Sequence, residues 1–154
     1  TDEFTSALEE CCVLLSKQIA KDGEGATKMI EVVVRNARTE KDADLVARTV
    51  VGSSLVKTAI YGEDPNWGRI IAAAGRSGAD IDPETISCWI GNRTVRAQVC
   101  DRGTIAADLS GAKAALSGDE VRIELDLFSG SEKATAWGCD LTEKYVEING
   151  KYTT

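Results

Sequence analysis

The run Glu120 to Phe128 (EVRIELDLF) alternates apolar and charged residues along most of its length. Successive side chains of a β-strand point to opposite faces, so this pattern predicts a strand with Val121, Ile123 and Leu125 on one face. The charged residues would then lie on the other face. Such a strand requires a β-sheet with one apolar face that other elements cover.

Two β-hairpins are predicted. Gly130-Ser131 would turn the first strand into a partner strand at Lys133 to Cys139. A second hairpin is predicted from Ile86 to Ile90 and Thr94 to Cys100, joined across Gly91-Asn92.

Apolar residues at helical spacing, capping residues and glycine stops predict the helices. They cover residues 2–21, 39–51, 64–75, 109–116 and 142–149, and a further strand covers Met29 to Asn36. Asp64 is the expected N-cap of the third helix, with Pro65 in the first helical position. Leu55 to Tyr61 fits either a helix or a strand, and a short strand is favoured. The predicted fold class is therefore α+β, a mixed or antiparallel sheet of hairpins with helices packed against it, in one domain over residues 1–154.

Composition excludes several classes of function. The formal net charge of −7 argues against nucleic-acid binding, and no apolar run approaches the roughly 18 residues of a membrane span. The five cysteines are odd in number and include no C-x-x-C, so we expect reduced, partly buried thiols in a cytoplasmic protein, with no metal site. The absence of histidine excludes Ser–His–Asp and Cys–His catalysis.

Thr1 has two interpretations. An N-terminal Thr can act as a nucleophile with its own α-amino group as base. Thr1 instead precedes Asp2-Glu3 at the exposed start of the first predicted helix, which favours a capping role or simply the start of the chain. Because the chain does not open on Met, we expect a processed product or a fragment.

Three segments carry less ordinary patterns. Glycines flank Glu24 in the loop DGEGATK (Asp22 to Lys28), and a carboxylate held there could bind an ammonium group. The run SLVKTAIYGEDPNWGRI (Ser54 to Ile70) places Trp67, Gly68 and Arg69 next to one another in one turn. The tail YVEINGKYTT (Tyr145 to Thr154) contains Asn149, whose amide can donate and accept. Taken singly, these segments also fit a solvated turn, a packing motif and a frayed terminus.

Together, the three segments resemble the ornithine acetyltransferase (glutamate N-acetyltransferase) family, and the resemblance extends over essentially the whole chain. It implies the C-terminal part of that family's β chain and the corresponding region of its fold. Family members cleave themselves into α and β chains and free a Thr nucleophile. That Thr carries the acetyl group of N-acetylornithine to glutamate in a ping-pong reaction of cytoplasmic arginine biosynthesis.

The resemblance also implies site residues and partners. Glu24, Asn149 and Thr154 match substrate-binding positions, whereas no substrate contact is implied for Asp64 to Arg69. No cofactor is implied, although some members accept acetyl-CoA as acetyl donor. The implied partners are the α chain and the remaining β-chain segment, in an α₂β₂ assembly.

The sequence departs from the family at its start. The family's nucleophilic Thr lies in an A-T-M-(L/I) context, and no A-T-M occurs in this chain. No catalytic residue is therefore assigned, and the nucleophile is expected outside these residues. Two alternatives remain open: a non-catalytic metabolite-binding or assembly domain of the same fold, and a hydrolase that uses Thr1.

Overall fold

The structure is a computed structural model that describes residues 2–106 and 109–152. The helices of this part of the chain are α1 (Asp2–Lys21), α2 (Glu40–Val51), α3 (Ser54–Tyr61), α4 (Trp67–Gly75), α5 (Ser110–Leu116) and α6 (Glu143–Lys151). The strands are β1 (Met29–Ala37), β2 (Ser87–Gly91), β3 (Arg96–Asp101), β4 (Thr104–Ile105), β5 (Glu120–Asp126) and β6 (Glu132–Cys139). A 3-10 turn at Pro83–Thr85 precedes β2.

The strands form one six-stranded sheet in the order β4-β3-β2-β5-β1-β6. β1 and β5 are parallel, whereas the other neighbouring pairs are antiparallel. The sheet is mixed and helices pack against it, so the predicted α+β fold class is confirmed.

The two faces of the sheet differ in the way that the β5 pattern predicts. Val121, Ile123 and Leu125 of β5 are fully or almost fully buried on the face that α2 and α5 cover. The opposite face carries alternating charges, including ion pairs from Arg122 to Glu31 and from Arg122 to Glu124. α2 and α5 therefore cover the apolar face, where the core lies.

α1 contacts the polar face of the sheet but buries none of its own residues. Lys17 forms a 3.1 Å ion pair with Glu31 and lies over the Trp137 ring. The apolar side chains of α1 stay open to solvent, with Phe4 and Ile19 about three-quarters exposed. The helix prediction for residues 2–21 is confirmed, but its apolar stripe is not part of the core.

The predicted hairpin between Glu120–Phe128 and Lys133–Cys139 is wrong. β1 lies between β5 and β6 and pairs with both. The connecting segment crosses the end of β1, where the amides of Ser129 and Gly130 bond to the Asn36 carbonyl. A Cβ on Gly130 would lie 2.2 Å from the Ala37 carbonyl oxygen, so this crossing requires glycine. The glycine marks a close crossing and not a hairpin turn.

The strand predicted at Leu55 to Tyr61 is also wrong, because this segment belongs to helix α3. The residues of α3 that become buried are Val56, Ala59 and Ile60. Their spacing of one, three and four positions is helical, whereas Leu55 at the start of the helix stays exposed.

One predicted helix start and one predicted hairpin turn are displaced by a few residues. α4 begins at Trp67 with Asn66 as its N-cap, so Asp64 and Pro65 precede the helix. In the β2–β3 hairpin, the loop covers residues 92–95 instead of Gly91-Asn92. The Asn92 side chain closes this loop by accepting bonds from the amides of Thr94 and Val95. In both places an Asn side chain satisfies backbone donors and so sets the boundary.

The cysteines are free thiols, as predicted, but their burial differs. Cys88 and Cys100 are buried, Cys139 is half-buried, and Cys11 and Cys12 are exposed on α1. Burial raises the pKa of the Cys88 thiol well above its usual range. Within residues 2–106 and 109–152, none of the helices combines the length and apolar character needed to cross a membrane.

The core position of β5 predicts a large effect for Ile123→Ala. Ile123 is fully buried, so we expect its truncation to lower the free energy of unfolding by about 2–5 kcal/mol. The matched control is Ile105→Ala on edge strand β4, where the side chain is 60% exposed and a change within about 0.5 kcal/mol is expected. Urea unfolding monitored by tryptophan fluorescence measures both. Equal effects of the two variants would contradict the assigned sheet order.

Candidate functional site

The loop between α1 and β1 has a conformation that depends on two glycines. Gly23 leaves space for the Cys139 sulfur, which would lie 2.5 Å from an added Cβ. Gly25 has φ +71°, in the left-handed region that favours glycine. The Ala26 amide donates to the Gly23 carbonyl at 3.0 Å, so the chain turns tightly around Glu24.

This loop packs against the start of α6. Thr142, the N-cap residue of α6, makes no side-chain bond to its own helix. Its hydroxyl instead donates to the Gly25 carbonyl at 2.7 Å. A Cβ on Gly25 would lie 2.8 Å from the Lys144 Cβ and 2.9 Å from the Tyr145 amide nitrogen. The loop and the C-terminal helix therefore form one packed unit.

Two of the three predicted substrate-binding residues meet in this unit. The Asn149 amide Nδ2 donates to Glu24 Oε2 at 2.8 Å and to the Tyr145 carbonyl at 3.0 Å. The two residues are 125 positions apart in the sequence, and both are exposed. Thr154, the third predicted residue, lies outside the described residues. The exposed pair presents a carboxylate beside an amide, which suits recognition of ammonium and carboxylate groups.

Asp140, directly after β6, was not identified from the sequence as part of this site. It is 3% exposed, and its carboxylate accepts bonds from the amides of Thr27 and Lys28 and from the Thr27 hydroxyl. These contacts join residues more than 110 positions apart. No local pattern could reveal them, because an Asp after a strand is also common in ordinary turns.

Lys28 links the loop to the segment Ser54 to Ile70. Its ammonium forms a 3.0 Å ion pair with Glu63 and donates to the carbonyls of Leu116 and Gly118. Only 10% of the Lys28 side chain is exposed, so these acceptors replace most of its water. Glu63 adopts φ 53°, a conformation unusual for a residue other than glycine. The ion pair therefore connects two of the three unusual sequence segments.

The same segment also reaches α6. A hydrogen bond between the side chains of Tyr61 and Glu143 raises the pKa of the Tyr61 phenol and lowers the pKa of the Glu143 carboxyl. In the middle of α6, hydrogen bonds from Lys151 and Lys144 lower the pKa of Glu147. These hydrogen bonds therefore favour the ionised form of both carboxylates, and the surface around Asn149 carries charges of both signs.

The motif Asp64 to Arg69 joins α3 to α4. Asn66 caps α4 by accepting the Arg69 amide at 3.2 Å, and its own amide donates to Asp64. The Arg69 guanidinium donates to the Leu55 carbonyl at 3.0 Å. The partly buried Trp67 packs against the core. These contacts agree with the interpretation of the motif as a packing unit.

Comparisons with known proteins cover the whole chain. The ArgJ family model matches residues 1–154. The arginine biosynthesis bifunctional protein ArgJ of Thermotoga neapolitana is 54% identical over 149 residues, which cover 96% of this chain and 38% of that protein. The glutamate N-acetyltransferase of Methanothermobacter thermautotrophicus is 50% identical over 156 residues, which cover 98% of this chain and 39% of that protein.

A solved structure is similar as well. The crystal structure of arginine biosynthesis bifunctional protein ArgJ from Bacillus halodurans matches with a TM-score of 0.92 and 46% sequence identity. The match covers 98% of this chain and 70% of that chain. The chain spans 38% of the length of the Thermotoga neapolitana protein and 39% of the length of the Methanothermobacter thermautotrophicus protein.

The tight contact between the loop and α6 predicts a specific glycine requirement. Gly25→Ala should lower the free energy of unfolding by at least about 2 kcal/mol, because the new Cβ meets α6 and the backbone conformation is unfavourable. Gly78→Ala is the matched control, since Gly78 has φ +78° but no atom within 4 Å of its added Cβ. It should lose only about 1 kcal/mol. Equal losses in denaturant unfolding would mean that the contact with α6 does not constrain the loop.

Proposed function

The chain belongs to the ArgJ family, and from this membership we propose that it forms part of a glutamate N-acetyltransferase of arginine biosynthesis. The enzyme transfers an acetyl group from N-acetylornithine to glutamate. The observation that carries the proposal for this chain is the direct contact of Glu24 with Asn149, two residues that the family resemblance implies in substrate binding.

In this proposal, Glu24 binds the ammonium group of N-acetylornithine. The α-amino group of that donor is acetylated, so its side-chain ammonium is the cation that the Glu24 carboxylate can receive. A bond between an ammonium and a carboxylate, in which both partners are charged, is stronger than the bond that Glu24 accepts from the uncharged Asn149 amide in this structure. The donor ammonium can therefore displace or join Asn149 at this carboxylate.

Asn149 gives the site a second use. Glutamate carries a carboxylate in place of the side-chain ammonium, and the Glu24 carboxylate would repel it. The Asn149 amide can donate to that carboxylate once it is released from Glu24. Glu24 would accept from an ammonium group, and the adjacent Asn149 amide would donate to a carboxylate. This pairing supports a ping-pong reaction in which both substrates use the same site in turn. Thr154 is proposed as a third polar contact to substrate.

The acetyl carrier is proposed to lie outside this chain. It is the N-terminal Thr of the β chain, freed by self-cleavage of a precursor, with its α-amino group as general base. The lack of histidine in these 154 residues is compatible with that chemistry. Relatives of this chain are named both as bifunctional ArgJ and as glutamate N-acetyltransferase, so an assay with acetyl-CoA as donor tests which activity applies.

The exposed surface of α1 supports the proposed partners, which are the α chain and the remaining segment of the β chain in a cytoplasmic α₂β₂ assembly. Leu8, Leu15 and Ile19 are each more than half exposed. Their spacing along α1 matches one stripe of a helix, and monomeric surfaces seldom expose such a continuous apolar stripe. The rest of the enzyme is proposed to cover it.

The charge of Glu24 is the first test. In the complete enzyme, Glu24→Gln should raise KM for N-acetylornithine about tenfold, because it removes a charge-assisted bond worth about 1.5–3 kcal/mol. KM for glutamate should rise less, and self-cleavage of the precursor should be unaffected. The matched control is Glu147→Gln, which removes an exposed charge of the same α6 surface and should leave both KM values unchanged. Unaltered kinetics in Glu24→Gln would remove Glu24 from the site.

Labelling of α1 tests the proposed partners. The exposed Cys11 and Cys12 of the isolated 154 residues should react with iodoacetamide within minutes, and that chain should have no acetyltransferase activity. In the complete enzyme the two thiols should be protected by at least tenfold in rate. The buried Cys88 should resist labelling in both samples, and a Cys11→Ser, Cys12→Ser variant identifies the fast phase. Equal labelling rates, or turnover by the isolated chain, would count against the proposed assembly.

A further inference from the structure

The buried carboxylate of Asp140 accepts hydrogen bonds from the loop that carries Glu24. Oδ1 accepts the amides of Thr27 at 2.8 Å and of Lys28 at 3.1 Å, while Oδ2 accepts the Thr27 hydroxyl. The Asp140 amide adds a bond of 3.0 Å to the Lys28 carbonyl. A carboxylate that is 3% exposed needs such donors, because burial removes it from water.

The hydrogen bonds of Asp140 set where Glu24 can lie. Glu24 is three residues ahead of Thr27, and the tight turn from Gly23 to Ala26 leaves little slack between them. On the other side, Thr142 binds the Gly25 carbonyl. Glu24 itself is exposed and contacts α6 through Asn149. The orientation of the Glu24 carboxylate therefore depends on the contacts of neighbouring loop residues and not on burial of its own side chain.

We propose that Asp140 is a positioning residue of the substrate site: its carboxylate fixes the loop so that Glu24 stands opposite Asn149 and meets the ammonium group of the substrate. The proposal rests on the function proposed above, because it takes Glu24 as the ammonium acceptor. Asp140 itself is buried beneath the loop and does not touch substrate.

The charge of Asp140 strengthens its hold on the loop. One oxygen of Asp140 accepts two backbone amides while the other accepts a hydroxyl. In Asp140→Asn, the side-chain oxygen can still accept the two backbone amides and the nitrogen can donate to the Thr27 hydroxyl, but the negative charge that strengthens all three bonds is lost. Asp140→Asn therefore weakens the attachment of the loop without a change of side-chain volume. A displacement of a recognition group by about 1 Å is enough to weaken binding strongly.

The experiment compares Asp140→Asn with Asp126→Asn in the complete enzyme. Asp126 is a similarly buried carboxylate that accepts the Asn36 side-chain amide and the Phe128 backbone amide and forms an ion pair with Arg35. It lies at the opposite end of β5 from the loop, about 20 Å away along the strand. Both variants should lower the melting temperature. Only Asp140→Asn should raise KM for N-acetylornithine, by about tenfold, with kcat changed less than about threefold.

A double-mutant cycle with Glu24→Gln tests whether Asp140 acts through Glu24. In a Glu24→Gln background, Asp140→Asn should raise KM by less than about twofold, because the carboxylate that it positions is already lost. The proposal would be overturned if the KM increases of Asp140→Asn and Glu24→Gln multiplied in the double variant. An equal rise of KM in Asp126→Asn would also overturn it. If Glu24→Gln alone left KM unchanged, the proposed site would fail and not only the role of Asp140.

A milder variant covers the case in which Asp140→Asn does not fold. Thr27→Val keeps the shape of the side chain and removes only the hydroxyl bond to Asp140. It should raise KM for N-acetylornithine about threefold in the wild-type background and not at all with Glu24→Gln. An unchanged KM in a folded Thr27→Val enzyme would contradict the role of this contact.

Discussion

The pairing of β1 with both β5 and β6 is the constraint on which the rest of the molecule depends. β1 forms early in the chain, yet both of its partners come about 90 to 110 residues later. Because β1 and β6 are antiparallel, the start of β1 lies beside the end of β6, with Met29 opposite Cys139. The loop before β1 and the helix after β6 must therefore meet at one end of the sheet. The contact of Glu24 with Asn149 follows from this topology.

Polar bonds then convert this proximity into a defined surface. Asp140, Thr142 and Lys28 each satisfy groups of the loop or its neighbours that would otherwise lose water on burial. Lys28 also extends the network to Glu63, so the segment between α3 and α4 supports the loop from a third direction. Partly satisfied networks are costly, so these partners favour a single loop conformation over several. The exposed side chains of Glu24 and Asn149 can therefore be well positioned without being buried themselves.

The sequence predicts the elements of this fold better than their pairing. The alternation of EVRIELDLF identifies β5 because it records burial on one face, and the helices α1, α2 and α6 follow from spacing and caps. The β5–β6 hairpin fails because adjacency in a sheet depends on a strand from another part of the chain. The helix at Ser54–Tyr61 is missed because it is short and its burial depends on tertiary packing. Family resemblance points to Glu24 and Asn149, but Asp140 carries no sequence signal because its partners are long-range.

The proposed ping-pong reaction would place a particular demand on these supports, because one site would accept two different substrates in turn. Under that proposal, the pair of Glu24 and Asn149 would receive an ammonium in one half-reaction and a carboxylate in the other, so it could not be fixed by one permanent partner. Their mutual bond satisfies both side chains when no substrate is bound, and it is exposed, so that its exchange costs little. The rigidity needed for recognition must then come from buried residues that support the loop. In the proposal, the buried Asp140 carboxylate supplies this rigidity, because its bonds to the amides of Thr27 and Lys28 do not change as substrates exchange.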